Sequence, residues 1–211
     1  MESDTKNQII EYALKIGSIK IQPQKPFTWA SGYVMPIYND NRKLLSNPHI
    51  RSLITNSFTS YIRDTYADSV DIIAGTATSG IPFATSLSDD LEKPLVYVRG
   101  QAKDHGMGNA VEGFLPEYKY KKAILIEDVI STGRSAIKAV ERLTEQSIEV
   151  IDILSIFDYE FLNILKFQAI YSLTDLIGYI KENRIESNGL FYEEIEKWRK
   201  SPFTWRGKNE V

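Results

Sequence analysis

The chain of 211 residues has no cysteine. Disulfides, thiolate nucleophiles and cysteine-based metal sites are therefore excluded, and the absence fits a reducing compartment. No apolar run approaches the roughly 20 residues that a membrane span needs. The first residues, MESDTKNQ, contain no apolar signal core. The expected location is the cytoplasm. Positive charge is not in excess: 25 Lys and Arg stand against 28 Asp and Glu, a net charge of −3. A nucleic-acid partner would need a basic footprint, so local basic clusters must serve something smaller. There is no internal repeat, no low-complexity segment and no Ser-His-Asp or Cys-His arrangement. What remains, 43% hydrophobic and 25% charged, suits one soluble domain with a sizeable core.

What is present concentrates in residues 122–139, KAILIEDVISTGRSAIKA. Ala123-Ile124-Leu125-Ile126 is short, apolar and β-branched, and predicts a buried strand. Glu127 and Asp128 follow at once, then a small polar turn, Ser131-Thr132-Gly133. Ala136, Val140 and Leu143 fall at helical spacing and predict a helix. A strand, two acids, a small-residue turn and a helix N-terminus suit a ribose phosphate. Free backbone N–H groups and the positive end of the helix dipole hold a phosphate dianion. Small residues let a ligand approach the backbone. Ser131, Thr132 and Ser135 add hydroxyls, and the carboxylates can accept from a sugar diol or face a magnesium ion. Read from the residues alone, the turn also fits an ordinary βα connection with a serine N-cap. It is not a Walker loop, which needs Gly-Lys-Ser/Thr.

Taken in order, Ile10, Ala13, Leu14 and Gly17 predict an amphipathic helix over 7–17. Residues 21–45, IQPQKPFTWASGYVMPIYNDNRKLL, mix prolines and aromatics and read as loop with short strands. Phe27, Trp29, Tyr33 and Tyr38 are candidates to pack over the core. A helix is predicted over 48–66, with His49 as a cap or surface residue. Residues 70–74 predict a buried strand, ending in Gly75-Thr76-Ala77-Thr78-Ser79-Gly80, which suits either a second anion nest or a plain turn. Residues 95–98 predict the next strand. It runs into 99–109, a loop with three glycines and no apolar periodicity. Arg99, Lys103 and His105 in that loop can reach one polyanion, or belong to a solvated charged loop. Further strands are predicted at 150–157 and 171–173, and helical segments at 161–167 and 174–181. Phe191, Ile195 and Trp198 mark one face of a closing helix. Alternating strands and helices predict an α/β fold with a parallel sheet of about five strands and right-handed crossovers.

Glu127-Asp128-Val129-Ile130-Ser131-Thr132-Gly133 resembles the phosphoribosyl diphosphate (PRPP) signature of type I phosphoribosyltransferases. Within them the chain is most similar to the orotate phosphoribosyltransferases. FTWASG followed by PIYNDNR is similar to the hood segment that helps form the orotate pocket in bacterial members. Arg99-x-x-x-Lys103-Asp104-His105-Gly106 resembles their closing loop, which covers the active site of the neighbouring subunit. The tail EKWRKSPFTW is similar again, so the resemblance covers nearly the whole chain.

This resemblance implies a type I phosphoribosyltransferase fold: a mostly parallel sheet of about five strands flanked by helices, with a small hood subdomain. Residues 1–211 form one such domain, with the hood from roughly 1–45 and part of the C-terminal region, and the core roughly 46–175. It implies transfer of the phosphoribosyl group of Mg-PRPP to orotate, giving orotidine 5′-monophosphate and diphosphate in UMP biosynthesis. Glu127 and Asp128 then hold the ribose hydroxyls, with Asp128 near the developing positive charge. Val129, Ile130, Ser131, Thr132, Gly133, Arg134 and Ser135 cradle the 5′-phosphate, and Ser131 also touches orotate. Thr76, Ala77, Thr78, Ser79 and Gly80 bind the pyrophosphate. Arg99, Lys103 and His105 neutralise it as it leaves. Mg²⁺ arrives on PRPP, with no direct protein ligand. A homodimer with shared active sites is implied, and no nucleic-acid or membrane partner.

Several positions depart from the family pattern. Orotate enzymes carry a lysine at the position of Ala30 or of Val34, and this chain has neither. Met35 stands for a usual serine, Gly100 and Gln101 where a lysine or serine is common, and Arg134 where glycine is common. Lys25 and Lys43 are candidates to compensate in the base pocket. A type I phosphoribosyltransferase for another base is the alternative enzyme, but it would lack the Lys103–Gly106 loop. A non-catalytic PRPP-binding regulator of nucleic acid would show a basic face, against which the net charge speaks.

Overall fold

The computed structural model describes residues 3–29, 32–100, 110–115, 117, 120–161, 166–185 and 189–206. The first helix, α1 (Ser3–Lys15), buries Ile9, Ile10 and Ala13 along one face. The proline- and aromatic-rich segment then forms β1 (Ile19–Ile21), β2 (Phe27–Thr28), β3 (Val34–Met35) and β4 (Ile37–Asn39). These make two small antiparallel pairs, β1 with β4 and β2 with β3. A 3-10 turn, Asn41–Ser46, leads into α2 (Pro48–Tyr66). The start of α2 is well defined: the Asn47 side chain accepts from the N–H groups of His49 and Ile50, and Pro48 sits at the first helical position.

The remaining elements are β5 (Ile72–Thr76), α3 (Ile81–Leu91), β6 (Leu95–Val98), β7 (Val111–Glu112), β8 (Lys122–Ile130), α4 (Arg134–Glu145), β9 (Glu149–Asp158), β10 (Gln168–Ser172), α5 (Leu173–Glu182) and α6 (Gly189–Lys200). Six strands form one sheet in the order β10-β9-β8-β5-β6-β7. Five are parallel; the sixth, the two-residue edge strand β7, is antiparallel to β6. Two residues carry too little alternation to register as a strand in sequence.

Four expected elements differ. The apolar run at 123–126 predicts a strand that stops before the acids. Instead β8 continues through Glu127 and Asp128 to Ile130, because β9 keeps pairing beside it: Glu127 lies opposite Ser155 and Val129 opposite Phe157. The strand expected at 70–74 runs from Ile72 to Thr76. Of the helical segment expected at 161–167, residues 162–165 lie outside the described set, while 161, 166 and 167 are irregular. Leu173, expected to end a strand, begins α5 behind a Ser172–Asp175 capping box.

Side chains on a strand alternate between faces. Ile124 and Ile126 of β8 join a core with Ile10 of α1, Phe58 of α2, Ala84 of α3, Ile177 of α5 and Trp198 of α6. Ala123 and Leu125 join a second core with Ala136, Ala139 and Leu143 of α4. Helices therefore cover both sides of β8. Asp152 of β9 is buried beneath α2, and its lone pairs are used: Tyr61 and Tyr66 both donate to Oδ2, and the Ile153 N–H to Oδ1.

The N-terminal segment is anchored by contacts with Trp198 of α6, with Tyr159 after β9 and with Phe203 after α6. Trp198 is fully buried and donates its indole N–H to the Met35 sulfur at 3.1 Å. Trp29 meets Tyr159 edge-on at 5.2 Å, and Tyr33 meets Phe203 at 4.9 Å. Tyr38 is 37% exposed, with its ring tilted against Phe27 at 5.6 Å. Replacing Trp198 with alanine should lose about 3–5 kcal/mol, typical of a buried tryptophan. For a chain of this length that is a fall of roughly 6–20 °C in calorimetric midpoint. A fall below about 2 °C, smaller than one lost kcal/mol, would place α6 outside the cooperative core.

Candidate functional site

Neighbouring parallel strands β8, β5 and β6 end on the same edge of the sheet. Ligands of open α/β sheets collect at that edge. After β5 the chain turns through residues 77–80 into α3. Gly80 is required there: a Cβ would stand 2.9 Å from both the N and the O of Thr76 and would collide with the Ile126 carbonyl. Ala77, Thr78, Ile81, Tyr97, Arg99 and Gly100 line a cavity of about 510 Å³. Ser79 is half-buried in the same turn.

After β8 the chain turns through Ser131 and Thr132 to Gly133, whose φ of +66° is one that glycine adopts without strain. That residue starts α4, whose first N–H groups have no intrahelical partner. A second cavity, of about 370 Å³, is lined by Ser131, Thr132, Gly133, Arg134, Ser135, Lys138 and Gly100. Gly100 is common to both cavities, so they adjoin. Val129 and Ile130 pair with β9, and the cavity wall begins at Ser131.

Arg99 and Gly100 are held from places the sequence did not connect. The Arg99 guanidinium pairs with Glu112 of β7 at 3.1 Å. Arg142 of α4 donates to the Arg99 carbonyl and, at 3.4 Å, to that of Gly100. Neither Glu112 nor Arg142 carries a motif, and only the pairing of β6 with β7 and the packing of α4 bring them here. Lys103 and His105 lie outside the described residues, as do Ala30 and Ser31.

The two acids diverge because adjacent strand residues face opposite ways. Glu127 turns to the α4 side with Thr76 and is 4% exposed. Burial pushes its carboxyl up to about 7; nearby Ser135 and Thr76 oppose this and the Asp128 charge adds to it. The influence of Thr76 stops short of a good hydrogen bond: Thr76 Oγ1 and Glu127 Oε1 are both buried and without a partner among the described residues. Asp128 turns to the N-terminal segment. The Asn41 side chain donates to its backbone oxygen at 2.6 Å, and Asn41 is itself 1% exposed. Burial pushes the Asp128 carboxyl up to about 6, against the pull of backbone N–H groups and of Arg42. A buried and a half-buried carboxyl beside two cavities lined by hydroxyls, backbone and cationic side chains are suited to a ligand that brings hydroxyl donors and phosphates together. A further cavity of about 540 Å³ is lined by Thr5 of α1 and side chains of α2 such as Leu53, Tyr61 and Asp64. It includes no strand end and none of these acids.

A phosphoribosyl transferase domain matches residues 40–160, more than half of the chain and including both turns and both acids. The orotate phosphoribosyltransferase of Listeria monocytogenes serotype 4b is 42% identical over 207 residues, covering 94% of this chain and 97% of that protein. The chain belongs to the orotate phosphoribosyltransferase family. Another relative, from Streptococcus agalactiae serotype III, is 46% identical over 157 residues, 74% of each chain. The crystal structure of orotate phosphoribosyltransferase from Aeropyrum pernix superposes with a TM-score of 0.70, over 85% of this chain and 99% of that one. At 24% identity this is a likeness of fold.

For this family member the buried acid has a consequence for stability. Folded Glu127 keeps its proton to about 7, against an ordinary 4.5. Between those values the folded state binds more protons than the unfolded one, so this contribution to stability falls as pH rises. Asp128 acts in the same direction between 3.8 and about 6. Glu127→Gln removes the larger effect. Its thermal midpoint should exceed the parent's by a margin that widens from about pH 5 to about pH 8. A margin that does not change with pH would show that Glu127 does not titrate in this range.

Proposed function

We propose that the chain transfers the phosphoribosyl group of PRPP to orotate, giving orotidine 5′-monophosphate and diphosphate in pyrimidine biosynthesis. One observation carries this reading: two adjoining cavities at parallel strand ends, beside the adjacent acids Glu127, which is buried, and Asp128, which is half-buried, in a chain 42% identical over nearly its whole length to a protein named for that reaction. The bond from the anomeric carbon to the diphosphate oxygen breaks, and its electron pair leaves with diphosphate. The orotate ring nitrogen supplies the pair for the new bond and loses its proton, which the departing diphosphate can take up. Positive charge develops on the ribosyl carbon and negative charge on the leaving group, so positioning and electrostatics carry the catalysis.

In this reading Ser131–Ser135 and the free N–H groups of α4 take the 5′-phosphate, with Arg134 and Lys138 as cationic walls. The turn at 76–80 and Arg99 take the diphosphate. Glu127 and Asp128 accept from the ribose hydroxyls, and ionised Asp128 offsets the positive carbon. Ser131 borders the orotate. Lys103 and His105 are assigned to the leaving diphosphate, and closure of their loop excludes water. Mg²⁺, a hard cation, would come with PRPP rather than from a protein ligand set and would offset charge on the leaving group. No group of three or more His, Cys, Asp or Glu side chains among the described residues is arranged to hold a metal by itself. We read the chain as one cytoplasmic domain, with residues before about 45 and the C-terminal helix as a hood, that works as a homodimer.

The reading is tested by mixing the protein with orotate, PRPP and Mg²⁺ and following orotate absorbance. Loss that needs all three supports it; diphosphate release with another base and none with orotate overturns it. Lys103→Ala should cut turnover by about 100-fold or more, the scale of one lost charge-stabilising donor, with the thermal midpoint unchanged. A near-normal rate would remove the loop's role. Solution sizing of the active enzyme should give a dimer, and full activity from a strict monomer would refute shared sites.

A further inference from the structure

Orotate is an anion whose carboxylate sits on the ring carbon beside the nitrogen that bonds to ribose. A pocket that prefers it to uracil must face that carboxylate with donors, and a guanidinium edge matches it best. The cation must also stand near Asp128, since the carboxylate lies next to the anomeric carbon. Both lysine positions of the family pattern are apolar here, Ala30 and Val34.

Of the other cations, Lys25 is exposed in the loop before β2, two are paired and two line the phosphate side. Lys43 donates to the Gly17 carbonyl at 3.0 Å. Arg99 pairs with Glu112, and Arg134 and Lys138 line the phosphate-side cavity. Arg42 is differently placed. It directly follows Asn41, whose side chain is fixed to the Asp128 backbone at 2.6 Å. Asp40 Oδ1 holds its Nε at 2.6 Å, and its side chain is 60% exposed. Neither Nη atom has a hydrogen-bond partner among the described residues. The clamp on Nε fixes the guanidinium while leaving its two-nitrogen edge open, which reduces the ordering needed when a carboxylate binds. Asp128 and Arg42 each register the other's charge, so the two groups are within electrostatic reach.

We propose that Arg42, clamped by Asp40 and brought to Asp128 by Asn41, recognises the orotate carboxylate and determines specificity for it. The inference rests on the orotate reading above. The likeness of PIYNDNR to a hood segment puts residues 36–42 near the base; the inference goes further and gives Arg42 the carboxylate.

Steady-state kinetics of Arg42→Gln test it, with orotate and PRPP varied separately and uracil as the carboxylate-free base. The KM for orotate should rise by about tenfold or more, the scale of a lost charge-assisted pair. The KM for PRPP should stay within about threefold, well under that scale. The preference for orotate over uracil in kcat/KM should shrink by the same factor as orotate binding weakens. An unchanged orotate KM, or equal rises for orotate and PRPP, overturns the inference and leaves the reaction standing. Absence of orotate turnover by the parent overturns both. Should Arg42→Gln fail to fold, Arg42→Lys carries the test. Keeping the charge but losing the planar edge, it should raise only the orotate KM, and no selective rise overturns the proposal.

Discussion

The site depends on a single geometric constraint: adjacent residues of a strand point to opposite faces, and β8 is covered by helices on both. Glu127 and Asp128 therefore cannot share one environment. The first is drawn to the α4 side, beside Thr76. The second faces the N-terminal segment, where Asn41 and Arg42 meet it. Both sit where the strand leaves the core: Glu127 is buried with Oε1 lacking a partner among the described residues, and Asp128 is half-buried. A buried carboxyl without its donors is unfavourable, and the rise of both groups toward neutrality expresses that. A ligand that brings hydroxyl donors relieves the penalty. The fold thus holds in the free state an unsatisfied demand that matches a ribose.

The glycines serve the same arrangement. Gly80 lets α3 start against the Thr76 backbone and the end of β8. Gly133 turns the chain from β8 into α4. The two cavities come close enough to share Gly100 because these turns are tight and because β5 and β8 are direct neighbours.

Much of this was legible in sequence because its signals are local. The bounds of α2, five parallel strands, the small-residue turn before α4 and the buried face of α6 all follow from composition and period within about twenty residues. What was not legible depends on partners far away in sequence. The length of β8 is set by the β9 ladder, whereas its apolar run ends at Ile126. Arg142 supports the Arg99 carbonyl from 43 residues away, and Asn41 meets Asp128 across 87. The divergence of the two acids needed only strand alternation, but that rule applies only once the strand is known to include them.

The departures around Met35 acquire a physical sense from the same alternation. Met35 faces the core, is fully buried and accepts from Trp198 across 163 residues. A serine there would leave a cavity under the indole and a hydroxyl in apolar surroundings. Val34, on the other face of β3, is apolar and half-buried. This stretch is therefore an anchor between the N-terminal strands and α6, with no cation of its own. Charge reaches the sheet edge only a few residues later, at Asp40 and Arg42, where Asn41 ties the chain to β8. The anchor and the recognising group thus lie on one short run of backbone. Trp198 on Met35 holds one end of that run, and Asn41 on the Asp128 backbone holds the other.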